Sequence, residues 1–120
     1  MGAPVGNRNR AKHSAVVGLV ANYLDAQGIG VTANRRPARI SEGIGDVRPD
    51  IDAEGLAVTV TSRVDQRLAP DLESAVATAR LAGADVGALV MWRSQRDIDQ
   101  SYVVLRLADF AALIRLARPS

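Results

Sequence analysis

Leu56-Ala57-Val58-Thr59-Val60-Thr61-Ser62-Arg63 is the stretch whose reading decides the fold. Leu56, Val58 and Val60 fall on one side of an extended chain, and Ala57, Thr59, Thr61 and Arg63 fall on the other. That is the period of a strand with one core face and one face free for chemistry. Downstream, Pro70 suits the first turn of a helix. Leu72, Ala75, Val76, Ala79 and Gly83 then supply a narrow stripe of small residues for close packing on a sheet, and the helix ends around Gly83. Val86 to Trp92 is almost entirely apolar, as in a strand covered on both faces. Strand, helix and covered strand in this order make a crossover between neighbouring strands.

Upstream, Val16, Leu19, Val20, Tyr23 and Leu24 recur at helical spacing, which predicts an amphipathic helix from near Arg10 to a stop at Gly28. Residues 1–9 hold two Gly, a Pro, two Asn and an Arg without apolar period and read as a flexible arm. Ile29 to Ala33 reads as a short strand, Asn34 to Gly45 as a loop, and a second short strand is expected after Asp46. Ser94 to Gln100 reads as a polar turn and Tyr102 to Leu107 as a further strand. Phe110, Leu113, Ile114 and Ala117 mark a last helix, stopped by Pro119. The predicted order is α-β-β-β-α-β-β-α. It describes an α/β fold, a three-layer-type sandwich with a central mixed sheet flanked by helices, in a single domain over residues 10–120.

Composition narrows the function classes. With 120 residues, 48% apolar and 23% charged, the chain is a single folded domain and not a disordered or low-complexity segment. The absence of Cys excludes disulfides, thiolate zinc sites and a cysteine nucleophile, and His13 alone cannot build a histidine metal site. No apolar run has the length of a membrane span, and Gly6 to Lys12 is polar where a signal peptide has its apolar core, so no membrane contact is expected. Aromatic residues, at 3%, are too few for a stacking platform on single-stranded nucleic acid.

Charge is unevenly placed. The net is +2, but residues 1–45 carry Arg8, Arg10, Lys12, Arg35, Arg36 and Arg39 against only Asp25 and Glu42. These six side chains are the candidate surface for phosphate or an acidic partner, and they read equally well as a solvated basic arm and loop. Other motifs carry less. Gly28-Ile29-Gly30 and Gly43-Ile44-Gly45 lack the context of a dinucleotide turn. His13, beside Ser14 but with no nucleophile elbow, reads as a surface histidine. Trp92 is expected to be buried against a helix.

The element order, with Gly45-Asp46, a short strand, a loop and then Leu56 to Arg63, resembles the PD-(D/E)xK nuclease superfamily, which includes restriction endonucleases and Holliday-junction resolvases. The resemblance spans roughly residues 10–117 and rests on pattern more than identity. It implies a restriction-endonuclease-like core in which an acid of a Gly-Asp pair and the acid of an acid-x-Lys triplet converge on a divalent metal. Here the triplet aligns with Thr59-Val60-Thr61, so Asp46 alone survives and Asp46, Thr59 and Thr61 stand as relic positions. A neutral hydroxyl replaces an anionic magnesium ligand poorly, and Thr61 has no ammonium to offer a developing phosphate charge. Asp50, Asp52 and Glu54, between Pro49 and Gly55, read as a hydrated turn, with Glu73 opening the next helix.

Three readings follow. In the first the chain is a pseudo-nuclease, catalytically inactive and needing no cofactor. Its arginine- and alanine-rich composition is similar to that of small resolvase-like proteins of actinobacterial phages. A structural role in the virion, such as a head-to-tail connector, would place it in the virion or host cytoplasm. Its partners would be other phage structural proteins or further copies of itself in a symmetric assembly. In the second the basic residues bind DNA without cleaving it. In the third Asp46 and displaced acids hold Mg2+ in a divergent nuclease.

Overall fold

The computed structural model describes residues 5–34, 48–63 and 67–118. Helix α1 (Val5–Ala26) leads into strands β1 (Val31–Ala33), β2 (Ile51–Ala53) and β3 (Leu56–Thr61). Helix α2 (Leu68–Leu81), strands β4 (Val86–Met91) and β5 (Tyr102–Val104) and helix α3 (Leu107–Ala117) complete the order. The strands form one sheet in the order β1-β2-β3-β4-β5, parallel between β3 and β4 and antiparallel elsewhere. With α1 on one face and α2 on the other, the domain is a generic three-layer α/β sandwich with a mixed sheet.

The alternation of β3 sets which helix meets which face. Val58 and Val60 pack with Val16, Val17 and Val20 of α1, together with Ile51 and Val90. Thr59 and Thr61 stand opposite Leu89 and Met91 in the parallel register, on the side where Leu89 and Met91 pack with Ala75 of α2. Every residue of β4 is buried, as its unbroken apolar run requires. The small-residue stripe of α2 explains the closeness of the layers. A Cβ on Gly87 would lie 2.8 Å from the Ala79 Cβ and 3.2 Å from the Ala75 carbonyl oxygen. Between β2 and β3 the chain reverses through Glu54-Gly55, with Gly55 at φ 76°, a conformation that glycine adopts without strain.

Several boundaries and faces differ from those the sequence predicts. Helix α1 begins at Val5, ahead of its apolar stripe and within the segment expected to be an arm. The intervening Arg, Ala and Lys are good helix formers that continue the helix ahead of the apolar stripe. Its buried stripe is Val16, Val17, Val20 and Ala21, which leaves Leu19 and Tyr23 exposed at the flank. Strand β5 stops at Val104 because Leu107 already opens α3. The apolar positions Phe110 and Ile114 of α3 face outward, and the residue that helix buries is Asp109.

Asp109 has a specific task at the sheet edge. Its Oδ1 accepts the Gly87 N–H at 3.3 Å and its Oδ2 accepts from Arg106 Nε at 2.8 Å. Strand β5 pairs with β4 only from Leu89 to Met91, so the Gly87 N–H has no β5 carbonyl opposite, and a carboxylate supplies the acceptor instead. At the far end of α3, Leu116 reaches the β2–β3 turn, 3.1 Å from where a Gly55 Cβ would stand. Helix α3 therefore runs from the end of β5 past the start of β4 towards Gly55.

Candidate functional site

Polar side chains gather where β2 begins. Pro49 and Asp50 are fully buried there, and Asp50 is 1% exposed. Its Oδ2 accepts the Val60 N–H at 2.7 Å, and its Oδ1 lies 3.1 Å from His13 Nε2. The register accounts for the first bond. Strand β2 starts at Ile51 opposite Val58, so the Val60 N–H points beyond the strand's end and the Asp50 carboxylate takes the place of a missing carbonyl. The second bond ties this edge to α1, from which His13 reaches with its side chain 26% exposed. Asn34, just after β1, fastens the other side. Its backbone N–H donates to the Asp50 carbonyl at 2.9 Å, and its Nδ2 donates to the Pro49 carbonyl at 2.7 Å and to Asp52 Oδ2 at 2.8 Å.

This geometry corrects two expectations. Asp50 and Asp52 do not form a hydrated turn. Asp52 lies within β2, Asp50 is the residue just before it, and both are held by protein groups; only Glu54 remains in an exposed turn. His13 is not a detached surface histidine but a partner of a buried carboxylate. A signal for this was present in the sequence. Asp50-Ile51-Asp52-Ala53 followed by Glu54-Gly55 is a period-two run ending in a tight turn, directly before the decisive strand.

The remaining candidates are dispersed. Thr59 and Thr61 are both buried, on the side of the sheet covered by α2, and Ser62 beyond them is buried as well. The Oγ1 atoms of Thr61 and of Thr78 on α2 have no hydrogen-bond partner. Beyond Ser62, Arg63 pairs with Asp71 in the first turn of α2. Glu73 is exposed on that helix. Lys12 is exposed on α1 with its Nζ 5.0 Å from the centre of the half-buried Trp92 ring, a cation–π contact. Arg8 and Arg10 lie on the earlier turns of α1. Asp46, Arg35, Arg36 and Arg39 fall outside the described residues.

The described residues among those that the resemblance brings into question do not fit a divalent metal. Each oxygen of Asp50 already accepts from, or pairs with, a protein group, and the two positions of the triplet carry uncharged hydroxyls beneath a helix. Among the described residues no group of three or more His, Asp or Glu is arranged to hold a metal ion. No described helix is long and apolar enough to cross a membrane. Comparisons with protein-family models, with curated proteins and with solved structures find no match to this chain.

Proposed function

We propose that this chain is a pseudo-nuclease: a PD-(D/E)xK-like body that works by binding or by shape, without a metal, as a structural component of an actinobacterial phage virion such as a head-to-tail connector. One observation carries the reading. Among the described residues the acid that bonds the triplet's own backbone is turned inward, with Asp50 completing the β2–β3 ladder at Val60 and pairing with His13. Its bonding gives that acid a structural task in place of a catalytic one.

The test is cleavage of branched and linear duplex DNA with Mg2+ or Mn2+. The expected result is no cleavage by the purified chain and its recovery with assembled particles from infected cells. Cleavage that is lost in Asp46→Ala or Asp50→Ala would overturn the proposal in favour of a divergent nuclease. DNA binding that weakens steeply with salt, without recovery in particles, would transfer the role to the basic residues Arg8, Arg10, Lys12, Arg35, Arg36 and Arg39.

A further inference from the structure

Three arginines gather at the carboxyl end of the parallel pair, on the face covered by α2. Strands β3 and β4 run in register to Thr61 and Met91, and the Trp92 N–H still donates to the Thr61 carbonyl at 3.0 Å, so Arg63 and Arg93 follow closely on neighbouring strands. Both reach the same face. Arg63 pairs with Asp71 in the first turn of α2. Arg93 stacks at 4.5 Å over the ring of Tyr102, which stands opposite Met91 on the side where Met91 packs with Ala75. The third, Arg67, is exposed and opens α2, and its side chain makes no capping bond. The Asp71 N–H donates to the Arg67 carbonyl and Pro70 has no N–H, so the Leu68 and Ala69 N–H groups are left without an acceptor inside the helix. Below Arg63 on the same side of β3, Thr61 is 7% exposed and its Oγ1 has no partner. Asp71 stands among these donors and is engaged, with Oδ1 on Arg63 and Oδ2 3.4 Å from the Arg67 N–H. Among the described residues Arg67 and Arg93 have no carboxylate partner. The nearest unpaired acids in sequence to Arg93, Asp97 and Asp99, flank Ile98, which packs with the α1 valines on the other face.

We infer that this end of the sandwich binds a phosphate group, carried by free phosphate or by a phosphomonoester. The charge matches, because two guanidinium groups without an acid face a group that carries close to two negative charges near neutral pH. The donors match as well. A guanidinium donates in pairs to phosphate oxygens, and stacking on Tyr102 fixes the plane of Arg93 while leaving its N–H edge free. The first turn of α2 adds two amide donors and the positive end of the helix dipole. Thr61 adds a hydroxyl that is costly where it stands, since burial has removed its water and the fold gives it no partner in return. These donors come from the ends of β3, β4 and α2. Donors arriving from three elements suit a tetrahedral acceptor with three free oxygens better than a flat carboxylate with two.

Nuclear magnetic resonance of the isotope-labelled full chain tests this, with inorganic phosphate and a nucleoside monophosphate each titrated against sodium chloride of equal ionic strength. The expected result is a saturable shift of the Leu68 and Ala69 amides and of the Arg93 Nε–H. Arg67→Gln and Arg93→Gln are each expected to weaken binding by at least ~10-fold, and Thr61→Val by about 5-fold, with cooperative unfolding retained in all three. Thr78→Val is the control. Its hydroxyl also lacks a partner but lies further along α2, so its loss should leave the affinity unchanged. Tighter binding of the nucleotide than of inorganic phosphate assigns the site to a phosphomonoester, and equal or weaker binding assigns it to free phosphate. Shifts that do not saturate, or that fall equally on Arg80 and Arg115 at the ends of α2 and α3, overturn the inference in favour of general counterion attraction. Binding that is unchanged in both arginine variants overturns it as well.

Discussion

His13 Nε2 lies 3.1 Å from Asp50 Oδ1, joining the middle of α1 to the first residue before β2 across 37 positions of sequence. The pair does for the outer sheet what the valine stripe does for the centre. It fixes where α1 sits over β2 and β3, while the other carboxylate oxygen completes the ladder at Val60. A buried carboxylate with partners on both sides is difficult to alter from either side, because removing one partner leaves the other group desolvated.

Asp50→Ala leaves the buried Val60 N–H without its acceptor and is expected to destabilise the domain by about 2–4 kcal/mol. His13→Ala keeps the Val60 bond and exposes one oxygen to water through the space it vacates, so its loss is smaller, about 1 kcal/mol. Urea unfolding followed by circular dichroism measures both. Equal losses for the two variants, or none for Asp50→Ala, would remove the structural task assigned to this carboxylate.

Gly87→Ala should cost about 1–3 kcal/mol, because the new methyl meets Ala79 Cβ at 2.8 Å and the backbone of α2 at 3.2 Å. The helix must lift away from β4 to make room. Adding Ala79→Gly removes the closer contact and should return part of the loss, despite the helix penalty of a glycine. A double-mutant cycle in thermal unfolding reads this coupling, and strictly additive effects would contradict the packing described.

The core of the sandwich was legible in the sequence because its signals are periodic. Val58 and Val60 alternate with Thr59 and Thr61, Val86 to Met91 is apolar without a break, and Ala75 and Ala79 are spaced for a helix lying close on Gly87. The site was less legible. Asp50 reads as a turn residue because Pro49 precedes it and Gly55 follows shortly, and local composition cannot show that β2 begins too late to offer Val60 a carbonyl. The same is true of Asp109, an acid in the first turn of an apolar helix pattern, whose burial follows only from β5 ending at Val104. Both carboxylates fill gaps in ladders, and a ladder gap is a property of two strands together. The outward turn of Phe110 and Ile114 has the same origin, since Asp109 decides which side of α3 faces the sheet.

Asp109→Ala accordingly should do more than remove an exposed ion pair. It leaves the buried Gly87 N–H unpaired and releases the first turn of α3, with an expected loss of about 1–3 kcal/mol. Native-state hydrogen exchange distinguishes this from a loss of the Arg106 contact alone. The Gly87 amide should exchange much faster in Asp109→Ala and remain protected in Arg106→Ala, because only the aspartate is its acceptor.

The triplet positions give the contrasting case, in which the present side chain already carries a penalty. The buried Thr61 and Thr78 hydroxyls have no partner, so Thr61→Val and Thr78→Val remove an unpaired polar atom at nearly constant volume. Each is expected to be neutral or to stabilise by up to about 1 kcal/mol. Rebuilding the charged triplet has the opposite effect. Thr59→Glu with Thr61→Lys places two charges beneath α2, where Leu89 and Met91 are the neighbours across the strand, and should destabilise by about 3 kcal/mol or more. The double variant is therefore expected to unfold at lower urea and still not cleave DNA, since Asp50 remains committed to Val60 and His13. A gain of metal-dependent cleavage without loss of stability would mean that the two threonines alone separate this fold from an active nuclease.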